Sequence, residues 1–144
     1  MKVEFRIDPA CTETAVTVTA PARTAEVEEL LRRLGGPEPV AGWQGETARL
    51  LPLETVLRFY GENKEVQAQT AEGNWTVRER LYELEERLAG TGFARISHSE
   101  IVNLRRATAL DLSLTGTIRI TLEGGTVCYA SRRYVKKIKE ALGL

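Results

Sequence analysis

Short alternating segments broken by turn residues dominate this chain from about Thr47 onward, and they decide its fold class. Val56–Tyr60, Val66–Thr70, Trp75–Arg78, Phe93–Ile96, Ala107–Leu114, Thr117–Leu122 and Thr126–Tyr129 each read as a strand. Gly61-Glu62-Asn63-Lys64, Glu72-Gly73-Asn74, Gly116 and Gly124-Gly125 supply turn chemistry between them. Segments of period two bury one face and must pair with neighbours, so this pattern demands sheets. Helical spacing is confined to Val27, Leu30, Leu31 and Leu34, to Leu81, Leu84 and Leu88, and to Tyr134, Val135, Ile138 and Leu142. The expectation is a mainly β fold with short helices.

The N-terminal part has its own layout. Lys2–Ile7 places Val3, Phe5 and Ile7 on one strand face, and Thr14–Ala20 places Val16 and Val18 likewise. A helix follows Thr24, with Glu26, Glu28 and Glu29 at its positive start and Arg32 and Arg33 at its negative end. Gly35-Gly36, Pro37 and Pro39 mark a boundary over 35–39. Residues 1–45 therefore read as a small β-β-α segment. A segment this small rarely supports a core alone, so it is predicted to dimerise with its copy in a second chain.

The 144 residues contain no apolar run near the roughly 18 needed to span a bilayer. The opening Met1–Arg6 carries charges where a signal peptide needs an apolar stretch. Two cysteines, Cys11 and Cys128, fit a reducing compartment, so the expected location is the cytoplasm. The chain has no phosphate-binding Gly-rich loop, nucleotide fingerprint or nucleophile elbow. With one histidine it cannot build an ordinary His/Cys zinc site, so no metal, cofactor or small-molecule substrate is expected, and no enzyme. Cys128, with His98 as its one available base, leaves a redox-sensor reading open.

Lys+Arg and Asp+Glu are 20 each, which at face value argues against a nucleic-acid partner. The halves differ. Residues 1–90 hold 11 basic and 16 acidic side chains, whereas residues 91–144 hold 9 and 4. The basic excess gathers on the last predicted helix, where segment 131–139 has five cations and no acid. Ser131 is a suitable N-cap, yet Arg132 and Arg133 follow it in the first turn, against the helix dipole. Each such charge costs up to about 0.3–1 kcal/mol at an exposed site, but the arrangement suits a phosphate.

The run Phe93-Ala94-Arg95-Ile96-Ser97-His98-Ser99-Glu100-Ile101-Val102-Asn103-Leu104 resembles the signature of the LytTR-type DNA-binding domain of bacterial transcription regulators. Gly124-Gly125, then Val127, Tyr129, Ser131, Arg132, Arg133 and Tyr134, resembles that family's closing motif. Leu53–Glu65 is similar to its opening strand and loop, and Val77–Leu88 to its Leu-rich helix. The resemblance runs from about Glu46 to Leu142, so residues 46–144 read as one LytTR-like DNA-binding domain. It implies an elongated stack of small antiparallel β-sheets that binds double-stranded DNA through loops entering the major groove.

Carried over position by position, the resemblance places Asn63 and Lys64 of the opening loop near DNA. It adds His98 and Ser99 of the middle loop, and Ser131, Arg132 and Arg133 of the closing motif, with Lys136 or Lys137 on phosphate. An Arg133 fork can pair with a guanine edge, and a neutral His98 can donate or accept at a base. The sequence departs from the family at Ser97, which stands at the family's His place, while His98 takes the basic place. Asn103 reads as a residue that ties down loop backbone, and Trp43 and Trp75 as core.

Dimerisation of the N-terminal segment would make a homodimer that places two DNA-binding domains on tandem half-sites. The roughly 45 preceding residues are too few for a receiver domain, and short relatives imply control by a membrane-protein antagonist. The alternative is a protein-interaction module whose basic C-terminal end binds an acidic partner.

Overall fold

A computed structural model describes residues 1–35 and 38–144. Gly36 and Pro37 of the expected boundary lie outside them. The chain divides into two compact units, Met1–Gly36 and Pro37–Leu144.

In the first unit, α1 (Ala25–Gly35) forms as its spacing predicts. Thr24 caps it, with Oγ1 accepting from the Val27 N–H at 3.3 Å. Glu29 pairs with Arg32 and Arg33 at 3.0 and 3.3 Å, as helical neighbours do. The two expected strands do not form: no ladder includes residues 2–7 or 14–20. A strand exists through a partner's N–H and C=O groups, and neither segment finds one in this chain. Val3, Phe5 and Ile7 are consequently 82%, 88% and 78% exposed. No described residue of this unit is buried.

The second unit is antiparallel throughout. One seven-stranded sheet holds β1 (Val40–Gln44), β2 (Thr47–Leu51), β3 (Val56–Glu62), β4 (Glu65–Thr70), β5 (Gly73–Val77), β6 (Phe93–Ser97) and β7 (Glu100–Asn103). Their order is β2-β1-β5-β4-β3-β7-β6. A second sheet, ordered β10-β9-β8, holds β8 (Ala107–Asp111), β9 (Arg119–Leu122) and β10 (Val127–Tyr129). Two helices, α2 (Leu81–Arg87) and α3 (Arg132–Ala141), complete it. The β1–β2 hairpin and β7 go beyond the strands expected from alternation. β8 stops earlier than expected because Asp111 Oδ1 turns back to accept from Ser113 N and Oγ, at 2.9 and 2.6 Å.

Two cores result. Val40, Leu51, Leu53, Val56, Phe59, Ala68, Trp75, Val77 and Ile101 pack with Leu84 and Leu88 from the α2 region. Leu57, Ile96 and Val102 pack instead with Ile118, Ile120, Leu122, Cys128, Ala130 and Ile138. Phe59 faces Ala68 and Ile101 in register, while Arg58, one residue away, faces Gln69 and Val102. Strand alternation thus assigns successive β3 residues to opposite sides of the sheet. Gly42 is required where β1 crosses Trp75, since a Cβ there would lie 2.7 Å from Trp75 Cβ. Trp75 is core as expected. Trp43 is half-buried, with the Arg78 guanidinium 3.7 Å above its ring.

Asn103 is buried and bonded on both sides. Its Nδ2 donates to the Val56 carbonyl at 3.0 Å and its Oδ1 accepts from Arg105 N at 3.1 Å.

Candidate nucleic-acid interface

Asn63 and Lys64 form the two-residue turn between β3 and β4, with Glu62 opposite Glu65. Both turn residues are left-handed, with φ of 52° and 65°. This is the geometry of a twisted two-residue hairpin turn, which favours Asn then Gly. Lysine at the second position is strained by about 1–2 kcal/mol. Both side chains are exposed. Glu62 and Glu65 flank them with like charges directly opposite one another.

The middle loop joins β6 to β7 and presents His98 and Ser99 to solvent. His98 is exposed rather than packed in a core. A bulge between Arg95 and Ser97 leaves Ile96 outside the β6–β7 pairing. That freedom is used: the Ile96 side chain enters the second core and its carbonyl accepts from Ser131 N at 2.8 Å. On the other side, Gly61 N donates to the Ser99 carbonyl at 2.9 Å. The middle hairpin is therefore hydrogen-bonded both to the opening hairpin and to the start of the closing motif.

Arg95 holds the loop from below, a role that its place in the motif does not announce. Its Nε donates to the Ser97 carbonyl at 2.8 Å, its Nη2 donates to the His98 carbonyl, and its Nη1 meets Glu85 at 2.8 Å. The Arg95 side chain is 12% exposed, so α2 and the loop are clamped through a nearly covered cation.

α3 begins at Arg132 with Ser131 in the N-cap place. The Ser131 hydroxyl makes no capping bond, contrary to the expectation, and it is exposed with Arg132, Arg133, Lys136 and Lys137. Tyr134, Val135 and Ile138 turn the other way, toward the second core. Arg132 packs over Gly116, where an added Cβ would stand 3.0 Å from Nη2. Arg133 leans on Tyr134, with Cζ 5.7 Å from the ring centre.

Electrostatically the candidate cations share their unpaired state with Arg78, Arg80, Arg105 and Lys139 among the described residues of the second unit. Among the described residues Lys64, Arg132, Arg133, Lys136 and Lys137 make no ion pair. Arg49, Arg58, Arg87, Arg95, Arg106 and Arg119 of the same unit all do. Burial, and then the Glu100 carboxylate, push the Cys128 thiol up to about 11. A buried thiol held protonated is a poor redox sensor.

A family model, the LytTr DNA-binding domain, matches residues 46–143. The chain belongs to the LytTR family. A solved LytTr DNA-binding domain from Bacillus cereus superposes with a TM-score of 0.71 at 22% identity, covering 76% of this chain and 100% of that domain. It shares the fold. Proteins from Staphylococcus aureus strains MSSA476 and NCTC 8325 / PS 47 are each 33% identical over 147 residues, covering 100% of this chain and 99% of theirs. Both are named uncharacterized HTH-type transcriptional regulators. In this LytTR chain five strands separate α1 from α2 and five more separate α2 from α3, so no two described α-helices adjoin. LytTR membership makes it a DNA-binding regulator rather than an enzyme. Among the described residues no helix is long and apolar enough to cross a membrane.

Proposed function

We propose that this LytTR protein is a sequence-specific transcription regulator that reads the major groove through loops, in the bacterial cytoplasm. The observation that carries the reading is the set of cations without ion pairs at the closing motif, on a helix start bonded to the middle loop. Arg133 takes a guanine edge, and His98 and Ser99 take bases beside it. Asn63, Lys64, Ser131, Arg132, Lys136 and Lys137 hold sugar and phosphate or adjacent base edges, which sets register. Residues 46–144 form the DNA-binding part.

Titration of a promoter duplex across salt concentrations tests this. About five neutralised phosphates give a slope near −4 to −5 in log affinity against log salt. Equal affinity for unrelated duplexes, or none at low salt, would refute it. The departure at Ser97-His98 favours one competing reading, a module whose basic C-terminal end binds an acidic protein partner. Such a module would ignore competing duplex DNA.

Of the expected 1–45 segment, β1 (Val40–Gln44) belongs to the seven-stranded sheet, and residues 1–35 are the proposed dimerisation segment, placing two domains on tandem half-sites. Support comes from the exposed Val3, Phe5, Ile7 and Val16 and from α1, which buries none of its residues. Leu31 and Leu34 of α1 are exposed as well, so the segment offers a continuous supply of apolar side chains for a partner to cover. Sedimentation of the full chain should give a dimer, and Phe5→Asp with Ile7→Asp a monomer. A monomeric wild type sinks the idea. The family's expectation of a membrane-protein antagonist belongs to the same reading, and co-purification from detergent-solubilised host membranes tests it.

A further inference from the structure

The sheet face that packs on the three-stranded sheet carries a polar cluster among its apolar side chains. At its centre is Arg58 on β3. Its Nε donates to Gln69 Oε1 at 2.6 Å and its Nη1 to Glu100 Oε2 at 2.9 Å. The guanidinium lies 4.2 Å from the centre of the Tyr60 ring. Gln69 Nε2 then donates to Thr126 Oγ1 at 2.8 Å, and Arg58 Nη1 reaches Cys128 Sγ at 3.8 Å. The cluster therefore bridges the two sheets, from β3, β4 and β7 to the residues of the β10 segment.

Its ends lie next to the candidate interface. Glu100 directly follows Ser99 of the middle loop, and Cys128 precedes Ser131 by three residues on the segment that delivers the closing motif. The Arg58 and Glu100 side chains are 20% and 21% exposed. A pair this covered loses much of its Coulomb gain to desolvation, and apolar replacements of similar volume often match its stability. What apolar replacements lack is direction. Apolar faces accept small offsets at little cost, whereas linked hydrogen bonds specify one.

We propose that Arg58 and Glu100 are positioning residues that fix the offset between the middle loop and the closing helix, and so the number of base steps separating their contacts. This rests on the reading of those two regions as DNA contacts. Neither residue needs to touch DNA.

The test uses the full chain and the best duplex selected from a random pool by the wild type. Two further duplexes carry one base pair added or removed between the two selected blocks. Wild type should lose at least about tenfold on each altered duplex, the cost of a misplaced base contact. Glu100→Gln should hold the parent duplex within roughly threefold and discriminate among the three by less than about threefold. Arg58→Lys, which keeps the charge opposite Glu100, should restore part of the discrimination. Arg58→Met with Glu100→Leu should melt near the wild-type temperature yet discriminate poorly, which separates positioning from stability. The proposal is overturned if either Glu100 variant keeps the wild-type ratio, or weakens all three duplexes by one factor. A wild type that selects no duplex refutes the DNA reading itself, a distinct result.

Discussion

Replacing Lys64 by glycine should move stability and DNA binding in opposite directions. Lys64 occupies the second place of the β3–β4 turn at φ 65°, after Asn63 at φ 52°. Glycine removes a left-handed strain of about 1–2 kcal/mol. It also adds about 0.5–1 kcal/mol of chain entropy to be lost on folding. Removing the ammonium from between Glu62 and Glu65 costs a few tenths more. The balance is a gain of about 0.5 kcal/mol, or roughly 2–3 °C for a domain of this size. Binding should fall across all duplexes, and the salt slope should become shallower by about 0.9, the signature of one lost phosphate contact. Thermal melts and anisotropy titrations at several salt concentrations read both quantities on one preparation. Lys64→Asn, which tolerates the left-handed region without the charge, should bind like the glycine variant. A lower melting temperature with unchanged DNA affinity would show that Lys64 serves the turn and not the partner.

Other perturbations separate structural from binding roles in the same way. Gly116→Ala places a side chain at φ 75° against Arg132, so stability should drop by about 1–2 kcal/mol and selectivity at the closing-motif bases should relax. Asn103→Ala strips two bonds from the Val56 and Arg105 backbone, at the end of the β6–β7 hairpin away from the middle loop, and should cost about 2–3 kcal/mol in denaturant titration. Cys128 should resist alkylation at pH 8 while the exposed Cys11 reacts. Because folding raises the Cys128 thiol from 9.0 to about 11, its stabilising effect is complete below pH 9 and fades as pH climbs through 11. Relative to Cys128→Ala, denaturant midpoints should fall over that window, by up to roughly 3 kcal/mol.

The strands from Val56–Glu62 through Val127–Tyr129, except β7, were legible because period two and Gly-rich turns report directly on a half-buried sheet. All three helices were legible from spacing and end chemistry. The β1–β2 hairpin was not, since Ala41, Gly42 and Ala48 give weak alternation and its pairing depends on Gly42 passing close to Trp75. The N-terminal alternation pointed to strands that lack a partner within the chain, which no local pattern can reveal. Within the candidate interface, the motif residues were legible one by one. Their support was not. The pairing of Arg95 with Glu85 and the reach of Arg58 from Gln69 to Glu100 join residues 10 or more positions apart, through side chains whose sequence context is unremarkable for a strand. The neutral total charge also concealed the decisive point. Elsewhere in the Pro37–Leu144 unit most arginines are spent on carboxylates, while those of the closing motif are not.

Selection of bound duplexes from a random pool, run in parallel with wild type and Arg133→Ala, tests the central claim most directly. Wild type should enrich paired half-sites with centres about 10–10.5 base pairs, or a multiple of that, apart. Arg133→Ala should enrich the same sites with one guanine preference lost in each half, at a cost of about 1–3 kcal/mol. An unenriched wild-type pool, or an Arg133→Ala pool identical to the wild type's, would contradict the claim.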